Sequence, residues 1–289
     1  MKLLIVGGNG FIGRHIARAA AASGHQVVRG VRVEKMESTN TIACDLEHDV
    51  AATTWLHRLA LISIDAVINC AGVLRANKNI MQAVHCDAPA ALAAACAQLK
   101  KPFLHVSALG LNDAANTPYF ASKRDGENAI RNAHSGAIIV RPSVVFGHDS
   151  PATQLLLMQS HLPVLCLPTN TKAVAPIHVD DLAALCLSLI GTVRALGCDV
   201  DAVGAKECSV ADYVQALRTA RGNPRATLVR VPNRWMRMGL TCAAFCGART
   251  ITPETLDMME HDHTGDARAF TRWMRRAPTA MASFQSLAH

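Results

Sequence analysis

The chain has 289 residues, of which 50% are hydrophobic and 18% charged, with a formal net charge of +7 at pH 7. Such a chain can bury a full core, so its composition excludes an intrinsically disordered protein. Its ten cysteines lack the spacing of metal ligands, so we predict no metal site and mostly buried, reduced thiols.

Apolar segments of strand length alternate with helical segments along the chain. The predicted strands are 2–7, 26–31, 65–70, 102–107, 137–142 and 197–203. Alternating β and α segments favour an α/β fold, in which helices cover both faces of a doubly wound parallel sheet. The predicted units are a nucleotide-binding core at 1–150 and 176–204, an active-site insert at 151–175 and a small, mostly helical substrate lobe at 205–289.

The first strand leads into a glycine-rich turn and then an alanine-rich helix. Gly7 suits the tight turn, Gly10 lets backbone approach a pyrophosphate, and Gly13 permits close packing of helix on strand. The helix N-terminus then directs its amides at the phosphates. We therefore predict a Rossmann fold whose first cofactor-binding residues are Gly7, Asn9, Gly10, Phe11, Ile12 and Gly13.

The end of the second strand indicates which nicotinamide cofactor is bound. An NAD site places an acid there for the ribose hydroxyls, whereas a 2′-phosphate needs a cation. Residues 26–32 contain no acid but two arginines, Arg29 and Arg32. Strand alternation favours Arg32, with Arg14 as a helper. We predict that NADP(H) is favoured over NAD(H).

A tyrosine and a lysine lie one helical turn apart near the middle of the chain. The ammonium of Lys123 is predicted to approach the Tyr119 phenol and lower its pKa, so that the phenol exchanges a proton with a carbonyl or hydroxyl. Ser107 ends the preceding strand, where its hydroxyl can polarise the same substrate oxygen. These three residues are the predicted catalytic set.

Six motifs follow one another in a characteristic order: Gly7-x-x-Gly10-x-x-Gly13, Cys44-Asp45-Leu46, Asn69-Cys70-Ala71-Gly72, Ser107, Tyr119-x-x-x-Lys123 and Arg141-Pro142-Ser143. This order resembles the short-chain dehydrogenase/reductase superfamily, in the extended and atypical branch that includes NAD(P)-dependent epimerase/dehydratases. Residues 84–89, 106–110, 141–147 and 178–183 more closely resemble the group related to the NADPH-binding accessory subunit of respiratory complex I.

The resemblance implies further contacts for the cofactor. Asp45 and Leu46 are expected to border the adenine, and Lys123 to hold the ribose hydroxyls. The remaining implied contacts are Cys70, Ala71, Gly72, Arg141, Pro142, Ser143 and Val144, of which the last four also shape the substrate side. His85 stands where related enzymes commonly have an asparagine that supports a water relay. It either relays protons as a catalytic residue or packs inside a helix.

Three functions fit this set of residues. The first is a reductase that passes hydride from NADPH to a carbonyl or quinone-like acceptor. The second is a non-catalytic NADPH-binding scaffold or assembly factor, and the third is a sugar-nucleotide epimerase. A dehydratase would need an acid near Ser107, and residues 108–110 supply none. The substrate itself is not predicted.

The C-terminal part is basic, with eleven Lys/Arg against five Asp/Glu from Arg218 onward. Its apolar stretch 235–245 predicts an amphipathic helix, which either touches a membrane or membrane complex or packs in the lobe beside solvated arginines. The basic residues are too dispersed for a nucleic-acid site. A first strand without a leader predicts a cytoplasmic protein, or one peripheral to the inner face of the membrane.

Overall fold

The computed structural model describes residues 1–32, 40–111, 117–159, 161–238, 256, 259–261 and 263–287. Its central sheet contains β1 (Lys2–Val6), β2 (Gln26–Val31), β3 (Thr41–Ala43), β4 (Ala66–Asn69), β5 (Phe103–Val106), β6 (Ile138–Pro142) and β11 (Asp199–Ala202). Their spatial order is β3-β2-β1-β4-β5-β6-β11, and every pair is parallel. The predicted doubly wound sheet is confirmed, and only the three-residue β3 was missed.

Helices cover both faces of this sheet because alternate strand residues point to opposite sides. In β1, Leu3 and Ile5 belong to one core, while Leu4 and Val6 belong to the other. The first core is covered by α1 (Phe11–Ala22), α7 (Val179–Ile190) and α9 (Ala267–Met274). The second is covered by α2 (Ala52–Ile62), α4 (Ala88–Gln98) and α5 (Pro118–Ala133).

A continuous helical run precedes β5. It consists of α3 (Lys78–Gln82), a π-helical turn (Ala83–Asp87) and α4. Over the described residues, this 21-residue run is the one helix long and apolar enough to span a membrane, with a mean hydropathy of 1.2. Because 61% of it is buried against the rest of the protein, we interpret it as a core helix.

The C-terminal lobe is smaller and less regular. It contains α6 (Pro151–Gln159) and α8 (Val210–Ala220), with a short 3₁₀ turn at Met281–Leu287. A further 3₁₀ turn, Val193–Ala195, follows α7 and packs in the first core through Ala195. The short strands are β7 (Val145–Phe146), β8 (Val164–Pro168), β9 (Ala173–Val174), β10 (Ile177–His178), β12 (Cys208–Ser209) and β13 (Thr227–Val231). A third core forms around Phe146, Tyr213 and Phe284.

Two details refine the predicted organisation. Helix α9 packs on β11 and α7, so part of 205–289 belongs with the sheet rather than with the lobe. Strands β8 and β13 pair in parallel over five residues, a ribbon that a mostly helical lobe did not predict. Within the predicted helix 235–245, residues 235–238 are helical and the others lie outside the described residues.

Candidate active site

The glycine turn after β1 has the backbone geometry that the sequence predicted. Gly7 has φ +76°, and a Cβ there would lie 2.9 Å from the Ala71 amide nitrogen. The Gly10 amide donates to the Gly7 carbonyl at 2.8 Å. A Cβ on Gly13 would overlap that same carbonyl. The turn therefore requires glycine for close approach between β1, β4 and α1.

The N-terminus of α1 opens into a cleft of about 280 Å³. Gly10 is the N-cap of α1, and among the described residues no side chain caps the first-turn amides. Free amides and the positive dipole end form a phosphate site. The cleft is lined by Val6, Gly7, Asn9, Gly10, Gly30, Val31, Arg32, Cys44, Asp45, Leu46, Glu47, Cys70, Ala71, Gly72, Val73 and Val84. These residues fit an extended dinucleotide.

Arg32 is the one of the three predicted arginines that lines this cleft. Arg14 instead forms an ion pair with Asp149 at 2.7 Å. Arg29 donates to the Asn9 side-chain oxygen at 3.1 Å. The same wall carries Glu47, which the sequence analysis missed, so a cation and an acid both face the adenosine end.

Asp45 lines the same cleft as Arg32. Its Oδ2 accepts a hydrogen bond from His48 Nδ1 at 2.8 Å. That hydrogen bond is the main reason why the pKa of Asp45 lies below its ordinary value, and the charge of Arg32 also lowers it. Asp45 is therefore an ionised acceptor in the cleft wall, with Leu46 next to it.

Next to the cleft, Lys123 lies against Gly72, where an added Cβ would be 3.5 Å from its Nζ, and Ser107 follows the carboxyl end of β5. Lys123 is buried, and its Nζ donates to the Val106 carbonyl at 3.3 Å. Burial lowers its pKa to about 8, although the charge of Glu127 opposes the shift. Ser107 is also buried, and its hydroxyl has no hydrogen-bond partner within the described part of the chain. A buried unsatisfied hydroxyl is costly, so it is a strong candidate for a ligand contact.

The predicted pKa shift of Tyr119 is wrong in direction. Burial raises the pKa of its phenol to about 12, instead of the neighbouring ammonium lowering it. Helical spacing does bring Tyr119 and Lys123 to one side of α5, but the Lys123 ammonium bonds the Val106 carbonyl. Desolvation therefore dominates at the phenol. Tyr119 remains a neutral proton donor at physiological pH.

His85 lies in the π-helical turn with both ring nitrogens bonded to protein groups. Its Nε2 accepts from the Val73 amide at 3.0 Å, so Nδ1 carries the proton and donates to Ser122 Oγ at 2.8 Å. The Ser122 hydroxyl donates to the Tyr119 carbonyl at 3.0 Å. Burial lowers the pKa of His85 to about 3. Of the two predicted roles, this geometry favours the packed one, in which a neutral His85 holds the turn after β4 and the start of α5.

A neutral polar pair below the cleft was also missed. Asn69 ends β4, and its Oδ1 accepts from the Ala71 amide at 3.1 Å. Its Nδ2 donates to His105 Nδ1 at 3.0 Å, and burial holds the pKa of His105 well below its ordinary value. A polar residue at the end of an apolar strand was the available signal. Together Asn69 and His105 fix the backbone that faces Gly7.

The structure does not bring residues 141–144 to the cleft lining. The Arg141 guanidinium pairs with Glu127 and, at 2.8 Å, with Asp199. The Ser143 hydroxyl donates to the His263 carbonyl at 2.7 Å. Pro142 is buried, and Val144 packs on the third core. The polar groups of Arg141 and Ser143 are therefore paired within the protein, where they hold β6 in place.

Two residues after the glycine turn are also turned away from the cleft by their packing. The Phe11 ring lies against Gly147, where an added Cβ would come within 2.6 Å of it. Ile12 packs on the first core. Only the backbone amides of Phe11 and Ile12, at the start of α1, are available to a phosphate.

A second cleft, of about 460 Å³, opens between α3 and the start of α5. Tyr119 lies in the wall of this second cleft. Val73 lines the first cleft and the next residue, Leu74, lines the second, so one chain segment contributes to both. Its lining is Leu74, Arg75, Ala76, Lys78, Met81, Gln82, Thr117, Pro118, Tyr119, Ala121, Ser122 and Asp125. The sequence did not predict this cleft, because it depends on how α3 and α5 pack.

Comparison with known proteins gives a family match over most of the chain. The family model described as RmlD substrate binding domain matches residues 1–231. A ceramide reductase of Caulobacter vibrioides is 34% identical over 187 residues, which cover 62% of this chain and 58% of that protein. A complex I alpha subcomplex subunit 9 of Dictyostelium discoideum is 25% identical, covering 65% of this chain and 55% of that protein. The chain thus spans little more than half the length of these relatives.

Solved structures share the fold at low sequence identity. A dTDP-4-dehydrorhamnose reductase of Bacillus anthracis in complex with NADP has a TM-score of 0.72 and 13% identity. That match covers 99% of this chain and 98% of the other. Human epimerase family protein SDR39U1 with NADPH also has a TM-score of 0.72, at 18% identity, covering 100% of this chain and 99% of the other.

Proposed function

Because this chain belongs to the RmlD substrate-binding domain family of extended short-chain dehydrogenase/reductases, we propose that it is an NADP(H)-dependent reductase of a carbonyl acceptor. The observation that carries the proposal is the buried hydroxyl of Ser107, which has no hydrogen-bond partner among the described residues and directly follows Val106, whose carbonyl accepts from Lys123.

The first cleft supplies the residues that would hold the cofactor. The turn at Gly7 and Gly10 and the amides that begin α1 suit the pyrophosphate. Arg32 suits a 2′-phosphate, which supports NADP(H) over NAD(H). When bound, a reduced nicotinamide supplies hydride.

The protein's own residues would manage the acceptor oxygen and its proton. Ser107 Oγ has its hydroxyl available to donate to a carbonyl oxygen. Tyr119, with its raised pKa, keeps a proton that it donates as the oxygen gains charge. Lys123 remains largely protonated at neutral pH, so it adds positive charge close to both groups.

The second cleft supports the choice of acceptor. Its wall is largely apolar, from Leu74, Met81 and Pro118, and Tyr119 lies in it. A relative bears the name ceramide reductase. We therefore propose a ketone on a molecule with a long apolar chain, which the apolar wall of this cleft would accommodate.

The test compares the chain's two tyrosines. NADPH oxidation is followed with long-chain ketones for wild type, Tyr119→Phe and Tyr213→Phe. We expect Tyr119→Phe to lower kcat by about 10²–10⁴-fold while the Kd for NADPH stays unchanged. Tyr213→Phe removes the same atom from the third core, where that hydroxyl has no partner among the described residues, so its kcat should match wild type. Equal activity of both variants would favour the scaffold function.

A further inference from the structure

We propose that the C-terminal lobe docks this protein on an anionic lipid bilayer through one face of the β8–β13 ribbon. This goes beyond the proposed function, since it concerns where the protein acts rather than what it reduces. The ribbon face is defined by the outward side chains of the two strands and by the exposed Leu162, Trp235 and Met238, which flank these strands in the sequence.

Strand register places uncharged side chains on the outer side of the ribbon. Val164 pairs with Thr227 and Cys166 with Val229, so these four side chains share one face. All four residues are exposed. Leu165 alternates with them and is buried against the lobe. On this side the two strands carry no charged side chain.

Larger exposed apolar side chains flank the two strands along the chain. Leu162, just before β8, is 52% exposed. Trp235 and Met238, in the short helical stretch after β13, are 53% and 54% exposed. A half-exposed tryptophan is typical of the interface between water and lipid, where its ring is both apolar and able to donate a hydrogen bond.

Arginines outnumber acidic residues in the sequence around this ribbon. Residues 213–238 contain six arginines and no Asp or Glu, and residues 150–171 contain no formally charged residue. Arg225 and Arg234 are exposed. Glu260 is the carboxylate that this part of the lobe contacts, through Asn233 and, at 3.8 Å, Arg237. Arg225 stands two residues before Thr227, and the Arg234 guanidinium lies 5.7 Å from the centre of the Trp235 ring. These two arginines are the cationic rim of the ribbon face.

Other arginines hold the ribbon in shape. Arg218 is buried, and its Nη1 donates to the Leu162 carbonyl at 2.7 Å. Arg230 donates to the Pro168 carbonyl at 3.2 Å. Arg218, in α8, thus holds the residues just before β8, and Arg230, in β13, holds the end of β8. The face is therefore preorganised, so binding would cost little ordering of the backbone.

The combination favours an anionic bilayer over other occupants. Apolar side chains enter the headgroup boundary, and arginines around them attract anionic lipids. A second copy would bring two cationic rims together, which like-charge repulsion disfavours. A nucleic acid would leave the apolar centre without a partner.

Tryptophan fluorescence tests the proposal, because the other two tryptophans are sheltered. Trp55 is buried and Trp273 is packed on the first core, so Trp235 is the tryptophan that reports contact with lipid. The purified chain is mixed with vesicles of phosphatidylcholine alone or with 30% phosphatidylglycerol, each with and without brominated acyl chains. We expect brominated quenching with anionic vesicles, little with neutral ones, and none in Trp235→Phe.

Charge variants give the quantitative arm of the test. Because each arginine near an anionic surface changes partitioning by about 5-fold, Arg225→Glu/Arg234→Glu should lower the partition coefficient by about 25-fold or more. The matched control, Arg18→Glu/Arg268→Glu, changes the same charge at exposed positions on α1 and α9, and should bind nearly like wild type. Thermal unfolding midpoints confirm that all variants are folded.

Several results would overturn the proposal. These are absence of binding to anionic vesicles, equal binding to neutral vesicles, or equal losses in the ribbon and control variants. Light scattering that finds a dimer abolished by Trp235→Phe would assign the face to a second copy. NADPH titration of the same variants is a separate readout, so failure here leaves the reductase proposal standing.

Discussion

The carboxyl edge of the sheet and the C-terminal lobe use charge in opposite ways. At the sheet edge, Lys123 and His85 are buried, and burial lowers their pKa values to about 8 and about 3. In the lobe, Arg225 and Arg234 remain on the surface beside apolar side chains. Because burial changes proton affinity, the edge is suited to chemistry. The lobe is suited to contact with a charged surface.

Because Lys123 is buried at the sheet edge, the free energy of unfolding should depend on pH through this residue. Its pKa is about 8 in the folded chain and about 10.4 when unfolded, so the unfolded chain binds more protons between these values. Stability of wild type relative to Lys123→Met should therefore rise with pH across that window, by about 3 kcal/mol in full. Urea unfolding at pH 7.5 and 9.5 measures it. The exposed Lys206→Met, in the lobe, should show no such rise.

The next prediction concerns the adenosine end of the sheet edge. Arg32→Ala should weaken NADPH binding by about 1.5–3 kcal/mol, because a charge-assisted hydrogen bond to the 2′-phosphate is lost. NADH affinity should barely change. Calorimetric titration of both nucleotides checks this, with Arg225→Ala as the lobe control. Equal losses for NADPH and NADH would refute the assignment of Arg32.

A third prediction, of a smaller effect on stability and NADPH binding, concerns the backbone packing at the glycine turn. Gly13→Ala places a Cβ against the Gly7 carbonyl, so it should cost about 1–3 kcal/mol in stability and weaken NADPH binding. Gly191→Ala is the matched control, because the nearest atom to its Cβ lies 3.5 Å away and its φ is −85°. Unfolding curves that coincide for the two variants would contradict the close packing of α1 on β1.

The smallest expected effect is at an ion pair between α7 and the segment that follows α9. Asp181 is buried in α7, and accepts from Arg276 at 2.6 Å and from the Thr279 amide at 2.6 Å. Arg276→Ala should cost about 1–2 kcal/mol, discounted because the arginine side chain is 47% exposed. Arg272→Ala breaks the exposed pair with Asp266 and should cost under about 1 kcal/mol. A larger loss of stability for Arg272→Ala than for Arg276→Ala would show that burial of the carboxylate does not determine which ion pair stabilises the fold more.

Local patterns explain what the sequence could predict. Six sheet strands and the glycine turn follow from apolar runs and from backbone geometry, both of which are legible over a few residues. The β8–β13 ribbon was missed because it pairs residues 164–168 with 227–231, and no short pattern encodes that pairing. The second cleft depends in the same way on how α3 and α5 pack.

Site chemistry was predicted less well because it depends on burial. The spacing of Tyr119 and Lys123 suggested a lowered phenol pKa, but desolvation in the folded chain raises it. Arg141 was expected near the cofactor, yet its partner Asp199 lies 58 residues away on β11. Sequence spacing reports neighbours along one helix, whereas the electrostatic balance is set by the whole fold.

The central claim is that the sheet edge binds NADP(H) as a co-substrate. The most direct measurement is to release and quantify the nucleotide carried by the purified protein, and then to follow its exchange with added labelled NADPH. We expect an empty site or rapid exchange, with NADPH bound more tightly than NADH. Near-stoichiometric NADP(H) that does not exchange would contradict it, because such a nucleotide serves as a fixed part of the structure.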